Sequence, residues 1–336
     1  MIESRLEERK KRGALRSLRF TQGLVDFASN DYFGFASQSV TGASGSGGSR
    51  LLTGHHPFFS SLEEKIARYH RSESCVIFNS GYAANLGLFS ALGDAHTTFI
   101  YDLEVHASIV DGMCLSRAQC KPFRHNDLLS LERRLKSTKG TRYVIVNSVY
   151  SMKGDKAPLR NIADLCEAHF AELIVDSAHS TGMYEVSEKA FATVHTFSKA
   201  LGAQGGCVCG SKTLIQFLIN FSRPLIYATA LPMSALIAIE NAYERLIHEG
   251  SEHQHRLQEL IAHFREKASF LTSETAIQPI GSSRTLEMSL ILQQSGIDVR
   301  PILYPTARRG KEFLRVVLHS FNTKDQIDRL LEVIER

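Results

Sequence analysis

The chain has 336 residues, of which 43% are hydrophobic and 22% charged, and its formal net charge is +4. This composition is that of an ordinary globular protein, and the length suits one large domain with a smaller one. The small, scattered positive charge argues against a nucleic-acid-binding surface, and no apolar run approaches the roughly 20 residues of a membrane span. The basic N-terminal stretch also carries Glu3, Glu7 and Glu8 and no apolar segment follows it, so we expect neither a signal nor a transit peptide.

The cysteines and histidines show no metal-binding or disulfide pattern. The six cysteines lack a framework spacing, and Cys207 and Cys209 have no second pair at zinc-ligand spacing. The 14 histidines form no HxxxH or HExxH pattern. We therefore expect reduced, buried thiols in a cytoplasmic protein without a metal site.

Apolar, β-rich runs alternate with helical patterns over the first two thirds of the chain. Strands that are buried on both faces and separated by helices predict a mostly parallel sheet in an α/β domain. The predicted strands are CVIF at 75–78, TTFIY at 97–101, YVIVNSVY at 143–150, ELIVD at 172–176, TVHTFS at 193–198 and GCVCG at 206–210.

The last third of the chain has a different pattern. A long helical stretch from 235 to 271 is followed by a β-rich tail of TLEMSLIL, GIDVRPILYP and EFLRVVLHS, and by a helix from about Asp325. This order predicts a smaller α+β domain. We predict an N-terminal segment at 1–40, a large α/β domain at 41–232 and a C-terminal α+β domain at 233–336.

Polar side chains stand at the ends of successive predicted strands. Asp176 ends ELIVD and is followed by His179, Ser151 follows VIVNSVY, and Lys199 follows TVHTF. Each of these residues taken singly has a plain interpretation as a cap, a loop or a turn residue. Open α/β sheets bind their ligands at the carboxyl ends of the strands. An acid, an imidazole and a lysine on successive strand ends therefore predict a functional site.

Catalysis by pyridoxal 5′-phosphate uses this set of groups. A lysine amine binds the cofactor aldehyde as a Schiff base, and a carboxylate keeps the pyridine nitrogen protonated so that the ring can accept electrons. The stretch NSGYAANLG at 79–87 predicts a helix N-terminus for the phosphate, and His106 is a candidate for a ring stacked on the cofactor. Glycines follow Lys199 at 202, 205 and 206, and we expect them to leave room for a bulky group.

The glycine-rich stretch GASGSGGSR at 42–50 offers a competing interpretation as a dinucleotide-binding loop. No apolar strand leads into it, and no acidic residue ends a second strand at the required spacing. We interpret it as a flexible loop or a place where backbone segments approach closely.

Taken together and in this order, the motifs resemble those of the α-oxoamine synthases, a family of fold-type-I pyridoxal phosphate enzymes. The resemblance runs from about Ala14 to the C-terminus. It is carried by SNDYFGF at 29–35, GSGGSRLLTG at 45–54, NSGYAAN at 79–85, HAS at 106–108, FRHND at 123–127, VYSMKGDKAPL at 149–159, VDSAHSTG at 175–182, TFSKALG at 196–202, LIYATALP at 225–232 and YPT at 304–306.

The resemblance implies a fold-type-I transferase that condenses L-alanine with pimeloyl-CoA or a pimeloyl-carrier-protein thioester. The products would be 8-amino-7-oxononanoate, carbon dioxide and the free thiol carrier, in biotin biosynthesis. A sister reaction, such as glycine with acetyl-CoA or serine with a long acyl-CoA, stays open. So does a degenerate paralogue that binds the cofactor without turnover, although the intact lysine, aspartate and histidine set argues against it.

Residue roles follow from the same resemblance. Lys199 is similar to the Schiff-base lysine, which is also the base for the substrate α-proton, and Asp176 to the partner of the pyridinium nitrogen. His179 matches the residue that bonds the cofactor 3′-oxygen, and His106 the stacking ring. Further cofactor contacts match Gly81, Tyr82, Ser151, Thr196 and, from the partner subunit of a homodimer with shared sites, Thr229, while substrate contacts match Arg16, His106 and Thr306.

The chain departs from the family pattern in places that concern the substrate. Leu303 in ILYPT occupies the place of the family arginine that holds the substrate carboxylate, and Phe59 occupies the place of a common histidine. The region after SNDYFGF is also shorter than in relatives. These departures leave the predicted cofactor residues intact and put the amino-acid substrate in question.

Overall fold

A computed structural model describes residues 7, 9–11, 23–37, 39–184 and 189–335. The strands are β1 Val25–Asp26, β2 Ser74–Phe78, β3 Thr97–Asp102, β4 Gln119–Phe123, β5 Thr141–Asn147, β6 Glu172–Asp176, β7 Ala192–Thr196, β8 Gly206–Gly210, β9 Ile277–Gly281, β10 Ile297–Asp298, β11 Arg300–Ile302 and β12 Phe313–Val317. The α-helices are α1 Pro57–Tyr69, α2 Gly81–Leu92, α3 Ala107–Cys114, α4 Leu128–Lys136, α5 Leu159–Ala168, α6 Lys212–Phe221, α7 Arg223–Ile226, α8 Met233–Lys267, α9 Thr285–Gln294 and α10 Lys324–Glu335.

The larger of two compact units comprises residues 33–151 and 156–252 and contains a seven-stranded sheet. The strand order is β2-β8-β7-β6-β5-β3-β4. Neighbouring strands from β7 to β4 run parallel, whereas β8 is antiparallel to both β2 and β7. The predicted mostly parallel sheet is therefore confirmed.

Apolar side chains cover both faces of this sheet. On one face, Phe78, Phe99, Ile174 and Val208 belong to a core cluster that includes residues of α2, α3 and α6. On the other face, a second cluster joins the sheet to residues of α4 and α5. Burial on both faces explains why these strands read as continuous apolar runs in the sequence.

Among the described residues, the smaller unit comprises those before Phe33, Met152–Asp155 and those from His253 onward. It contains a three-stranded antiparallel sheet in the order β11-β12-β9 and a short parallel pair of β1 with β10. The carbonyl of Gly154 accepts hydrogen bonds from the hydroxyls of Thr275 at 2.8 Å and Ser273 at 3.1 Å, which attaches the segment 152–155 to this unit. The predicted α+β character is confirmed, and the boundaries predicted at residues 40 and 232 stay a prediction.

Two segments differ from the expectation. The stretch TLEMSLIL forms helix α9, so its assignment to a β-rich tail is wrong. Its buried residues Thr285, Met288, Ser289 and Leu292 follow helical spacing, and the high apolar content obscured that period. Strand β4 was not predicted, because its sequence QCKPF is mostly polar and contains a proline. It lies at the edge of the sheet, where proline is tolerated.

Among the described residues, no helix combines the length and the apolar character that crossing a bilayer requires.

Candidate active site

The candidate site lies at the carboxyl ends of three neighbouring parallel strands, β5, β6 and β7. Asn147 at the end of β5 pairs with Asp176 at the end of β6, which in turn pairs with β7. Parallel strands bring their carboxyl ends to one edge of the sheet. The segments that carry Ser151, His179 and Lys199 therefore all leave from this edge.

Asp176 is a buried carboxylate, 3% exposed, with a hydrogen-bond donor at each oxygen. Its Oδ2 accepts from Asn85 Nδ2 at 2.8 Å, and its Oδ1 accepts from the backbone N–H of Ala178 at 2.9 Å. A buried carboxylate needs such donors, because an unpaired buried charge is very costly. The two donors fix the direction of the carboxylate.

His106 precedes helix α3 and caps its N-terminus through the imidazole. The ring Nδ1 of His106 accepts from the backbone N–H of Ser108 at 3.3 Å and lies 2.7 Å from Ser108 Oγ. The backbone N–H of His106 donates to Asn147 Oδ1 at 3.2 Å. Burial lowers the pKa of the His106 imidazole; the negative charge of Asp176 opposes this effect, and the positive charge of Lys199 adds to it. The positive end of the helix dipole also disfavours a cation here.

The N-terminus of helix α2 lies against the end of β7. Ser80 caps the helix by accepting from Ala83 N at 3.0 Å. A Cβ on Gly81 would lie 3.0 Å from the Cβ of Thr196, and a Cβ on Gly206 would lie 2.5 Å from the backbone nitrogen of Gly81. Glycine at both positions permits this close approach, which places a helix N-terminus, a common anion-binding element, at the site.

Lys199 lies in the loop that joins β7 to the antiparallel strand β8. The hydroxyl of Thr196, at the end of β7, donates to the carbonyl of Gly205 at 3.3 Å and lies 3.0 Å from Ser198 Oγ. The carbonyl of Lys199 accepts from Gly202 N at 2.9 Å. These bonds brace the loop, and the lysine side chain is half-buried.

The glycines after Lys199 serve packing within the chain, so the prediction that they leave room for a bulky group is wrong. A Cβ on Gly202, where φ is +59°, would lie 2.2 Å from the backbone nitrogen of Ala36. Gly205 has φ of +127°, a conformation that other residues rarely adopt. The nearest neighbours are the backbone of Ala36 at Gly202 and of Gly81 at Gly206, and the side chain of Phe197 at Gly205. Atoms of the same protein therefore occupy the space beside these glycines.

Other predicted cofactor contacts lie in the same unit. His179 is buried and Ser151 is half-buried. Tyr82 is exposed, stands edge-on to the ring of His106 with 6.2 Å between centroids, and donates its hydroxyl to Asp111 Oδ2. That hydrogen bond raises the pKa of Tyr82.

Thr229, predicted to act in the partner subunit's site, is exposed. Its backbone forms an isolated bridge with Ser49, and its carbonyl accepts from Asn79 Nδ2 at 2.8 Å. Both of these bonds are made by the backbone of Thr229, and neither involves its hydroxyl group.

Apart from His106, the predicted substrate contacts lie outside the large unit or outside the described residues. Arg16 lies outside the described residues, and Thr306 is exposed in the smaller unit. Leu303 directly follows β11 and is half-buried, whereas the neighbouring Arg308 and Arg309 are exposed. Within the smaller unit, the guanidinium of Arg309 lies 4.8 Å from the centre of the Tyr304 ring. The substrate contacts assigned to Arg16 and Thr306 stay a prediction.

Two residues that the sequence interpretation did not single out connect the predicted ones. Asn85 is buried in α2 and donates both to Asp176 Oδ2 and to Ser108 Oγ, the latter at 3.0 Å. Both residues stand inside motifs that carry the resemblance, NSGYAAN and HAS. Asn85 lies four residues after Gly81, so helical periodicity places it one turn behind the helix N-terminus, which is the signal that could have found it.

Three thiols of this unit lie together, which sequence spacing did not indicate. Cys75 on β2 pairs with Cys209 on β8, Cys207 shares the face of Cys209, and the three sulfur atoms lie within 4.8 Å of one another. Metals bind thiolates. Burial raises the pKa of Cys75 and Cys207 well above the usual value, whereas hydrogen bonds from these two thiols lower the pKa of Cys209. We interpret the cluster as core packing.

Comparison with known proteins identifies the family of this chain. Residues 22–334 match the family model "Aminotransferase class I and II". The 8-amino-7-oxononanoate synthase of Marinobacter nauticus is 35% identical over 98% of this chain and 94% of its own length. A high-resolution structure of SPT with PLP has a TM-score of 0.86 at 26% identity, covering 93% of this chain and 86% of that one.

A crystal structure of 8-amino-7-oxononanoate synthase from Francisella tularensis has a TM-score of 0.78 at 27% identity, covering 93% of this chain and 96% of that one. These likenesses confirm the predicted fold-type-I transferase architecture. The chain therefore belongs to the aminotransferase class I and II family and, within it, to the α-oxoamine synthases that its motifs resemble.

Proposed function

We propose that this protein is a pyridoxal 5′-phosphate-dependent acyltransferase of biotin biosynthesis. It condenses L-alanine with a pimeloyl thioester of CoA or of a carrier protein, and it releases carbon dioxide, the free thiol carrier and 8-amino-7-oxononanoate. The observation that carries this proposal is the near-full-length similarity to the 8-amino-7-oxononanoate synthase of Marinobacter nauticus.

The groups at the carboxyl edge fit pyridoxal 5′-phosphate. The amine of Lys199 would bind its aldehyde carbon, the carboxylate of Asp176 its pyridine nitrogen, and the ring of His106 would stack on it. The cofactor, when bound, supplies an electron sink for the bonds that break at the substrate α-carbon. Contacts to its phosphate and ring oxygens are proposed for Gly81, Tyr82, Ser151, His179, Thr196 and, from the partner subunit, Thr229.

The side chains divide the remaining work. Asp176, held by Asn85 and Ala178, stabilises positive charge on the pyridine nitrogen without having to reorganise. Lys199 removes and returns the proton at the substrate α-carbon through Nζ, as a general base must lie within reach of that atom. Arg16, His106 and Thr306 are proposed to contact the amino-acid and acyl substrates.

We propose a homodimer with shared active sites in the cytoplasm. The exposed position of Thr229, whose described bonds involve its backbone, agrees with a hydroxyl that serves a neighbouring subunit. Size-exclusion chromatography with light scattering tests the dimer, and activity restored on mixing Thr229→Ala and Lys199→Ala subunits tests the sharing.

The cofactor assignment is tested on the purified, cofactor-loaded protein. We expect visible absorbance that borohydride abolishes, and a phosphopyridoxyl group that mass spectrometry locates on Lys199. The exposed Lys212 is the matched control, because Lys212→Ala should retain the labelled peptide and Lys199→Ala should lose it. A label on another lysine would overturn the assignment of Lys199.

The second candidate function is a sister condensation with another amino acid and acyl thioester. Two observations favour keeping it: Leu303 at the place of the family arginine, and the likeness to SPT with a TM-score of 0.86. Assays that combine alanine, glycine and serine with pimeloyl-, acetyl- and palmitoyl-CoA decide between them. Product from alanine and pimeloyl-CoA alone supports the proposal, and product from another pair supports the sister reaction. No product from any pair, in cofactor-loaded protein, indicates the degenerate paralogue.

A further inference from the structure

We propose that Asn85 is a positioning residue that orients the Asp176 carboxylate and holds His106 in its neutral Nε2–H form through a chain of hydrogen bonds with fixed directions. The catalytic consequence of this arrangement rests on the proposed function. The chain runs from Asn85 to the carboxylate of Asp176 on one side, and from Asn85 through Ser108 to His106 on the other.

The direction of each bond follows from the donors that cannot be reversed. The backbone N–H of Ser108 donates to His106 Nδ1 at 3.3 Å, so this nitrogen carries a lone pair. The Ser108 hydroxyl, 2.7 Å away, must then also donate to Nδ1, which assigns the ring proton to Nε2. With its proton committed, Ser108 Oγ accepts from Asn85 Nδ2 at 3.0 Å.

The amide of Asn85 is fixed in turn. Its two N–H groups are used by Ser108 Oγ and by Asp176 Oδ2, the latter at 2.8 Å. A flipped amide would place its carbonyl oxygen against the carboxylate, so that two acceptors would face each other. In the observed orientation Asn85 Oδ1 is buried and has no hydrogen-bond partner among the described residues. A buried acceptor without a partner is costly, so the two bonds that Nδ2 donates must outweigh this cost and set the orientation.

The reason lies in the competition between two charges. An imidazolium at His106 would be attracted to Asp176 and would compete with a cationic pyridine nitrogen for the same carboxylate. Asp176 and Asp111 favour the imidazolium, whereas burial, Lys199 and the N-terminus of α3 oppose it, and Tyr82 faces the ring with its edge. The hydrogen-bond chain settles this balance because protonation of Nδ1 would break two bonds at once.

The first test uses the cofactor-free protein, so that it does not depend on the reaction catalysed. Two-bond ¹H–¹⁵N spectra of labelled histidines report the tautomer and the titration midpoint of His106, whose signals His106→Gln identifies. We expect the Nε2–H form in the wild type. Asn85→Leu should raise the midpoint by about one pH unit, the usual spread of histidine values in folded proteins, and mix the tautomers.

The matched control is Asn147→Leu. Asn147 is as buried as Asn85, at 3% exposed, and bonds only the backbone N–H of His106 within this chain of contacts. It should leave the midpoint and the tautomer of His106 unchanged. An unchanged midpoint and tautomer in folded Asn85→Leu would overturn the proposal, as would an equal shift in both variants.

A second variant, Asn85→Asp, keeps the size of the side chain and adds a charge that depends on pH. At low pH the new carboxyl group is protonated and can donate to Asp176, whereas at higher pH two carboxylates face each other. Turnover of the loaded enzyme should approach the wild type at low pH and fall as the pH rises, with the Asn85→Leu turnover low throughout. A pH profile of Asn85→Asp parallel to that of the wild type would contradict the proposed role of the hydrogen-bond chain. If the protein catalyses another reaction or none, the histidine spectra still decide the proposal.

Discussion

The carboxyl edge of the large sheet and the segment from Leu303 to Gly310 differ in how exposed their side chains are. At the sheet edge, Asp176 is 3% and Thr196 is 5% exposed, and hydrogen bonds define the direction of both. In the segment after β11, Thr306, Arg308 and Arg309 are exposed. The sheet edge carries the predicted cofactor contacts Asp176 and Thr196 in buried positions, whereas the predicted substrate contact Thr306 is exposed.

This difference separates cofactor chemistry from substrate choice. A group that stabilises charge must be oriented before the reaction begins, which requires burial and donors on rigid elements. A group that recognises a substrate can be ordered when the substrate binds, at some cost in affinity. We therefore expect substitutions at the sheet edge to affect turnover strongly, and substitutions after β11 to act mainly on substrate affinity.

The largest effect is expected at Lys199. Lys199→Ala should lower turnover with alanine and pimeloyl-CoA by about 10³-fold or more, because the variant loses both its attachment to the cofactor and a general base, for which losses of 10²–10⁴ are usual. Turnover by the Lys212→Ala protein should equal that of the wild type. Near-normal turnover in Lys199→Ala would show that the reaction does not take place at the sheet edge.

Asp176→Ala should have the next largest effect. The variant should keep some cofactor through Lys199 and the phosphate contacts, but its turnover should fall at least ~10²-fold, since a preorganised charge acts mostly in the transition state. Cofactor content from absorbance and turnover under saturating substrate separate the two effects. Full turnover with full cofactor content would show that Asp176 does not contact the pyridine nitrogen.

The same contrast explains what the sequence could predict. ELIVD and GCVCG coincide with β6 and β8, because a strand buried on both faces leaves a continuous apolar run, and strand ends then locate Asp176 and Lys199. The packing role of Gly202 could not be predicted, because its neighbour Ala36 is distant in sequence and only tertiary packing brings the two together. The contacts of Asn85 could not be predicted for the same reason, because its partners Ser108 and Asp176 lie 23 and 91 residues away in the sequence.

Leu303 allows a test of the exposed segment, because it occupies the place of the family arginine that holds the substrate carboxylate. A substrate carboxylate needs a cation, and the strand neighbour Arg300 already pairs with Asp298 at 3.1 Å. We predict that Arg308 or Arg309 partly replaces the family arginine and that alanine is bound weakly. Leu303→Arg should tighten alanine binding by roughly 1.5–3 kcal/mol, the scale of a hydrogen bond to a charged group.

Alanine titrations, followed by the visible absorbance of the loaded enzyme, measure this dissociation constant. Arg308→Ala or Arg309→Ala should raise it, and turnover at saturating alanine should change less than affinity does. Lys311→Ala, another exposed cation nearby, controls for a general loss of positive charge. If the arginine variants leave the titration unchanged and Leu303→Arg does not tighten it, another residue holds the carboxylate or the donor is not alanine.

The smallest effect concerns the stability of the buried region. His195 on β7 is 1% exposed, its Nδ1 and Nε2 lie 3.0 Å and 2.9 Å from the hydroxyls of Thr181 and Thr193, and its ring stacks on His70 at 3.7 Å. Burial, assisted by His70, lowers the pKa of His195 to about 3. The folded state therefore keeps this imidazole neutral at pH values where the unfolded chain already binds a proton.

This depressed pKa makes the buried region lose stability as the pH falls. The contribution of His195 is complete above the unfolded value of about 6.5 and is lost progressively below it, until the folded group itself titrates near 3. Between about pH 7.5 and about pH 5.5 the free energy of unfolding should therefore fall by about 1.4 kcal/mol from this residue alone.

Urea unfolding at fixed protein concentration measures the fall in the free energy of unfolding. His195→Gln, which keeps a donor and an acceptor but does not titrate, should reduce it by that amount, while His248→Gln at the surface should not. An equal fall in wild type and His195→Gln would mean that the imidazole is protonated within the folded core, and that this part of the sheet is less firmly closed than its burial indicates.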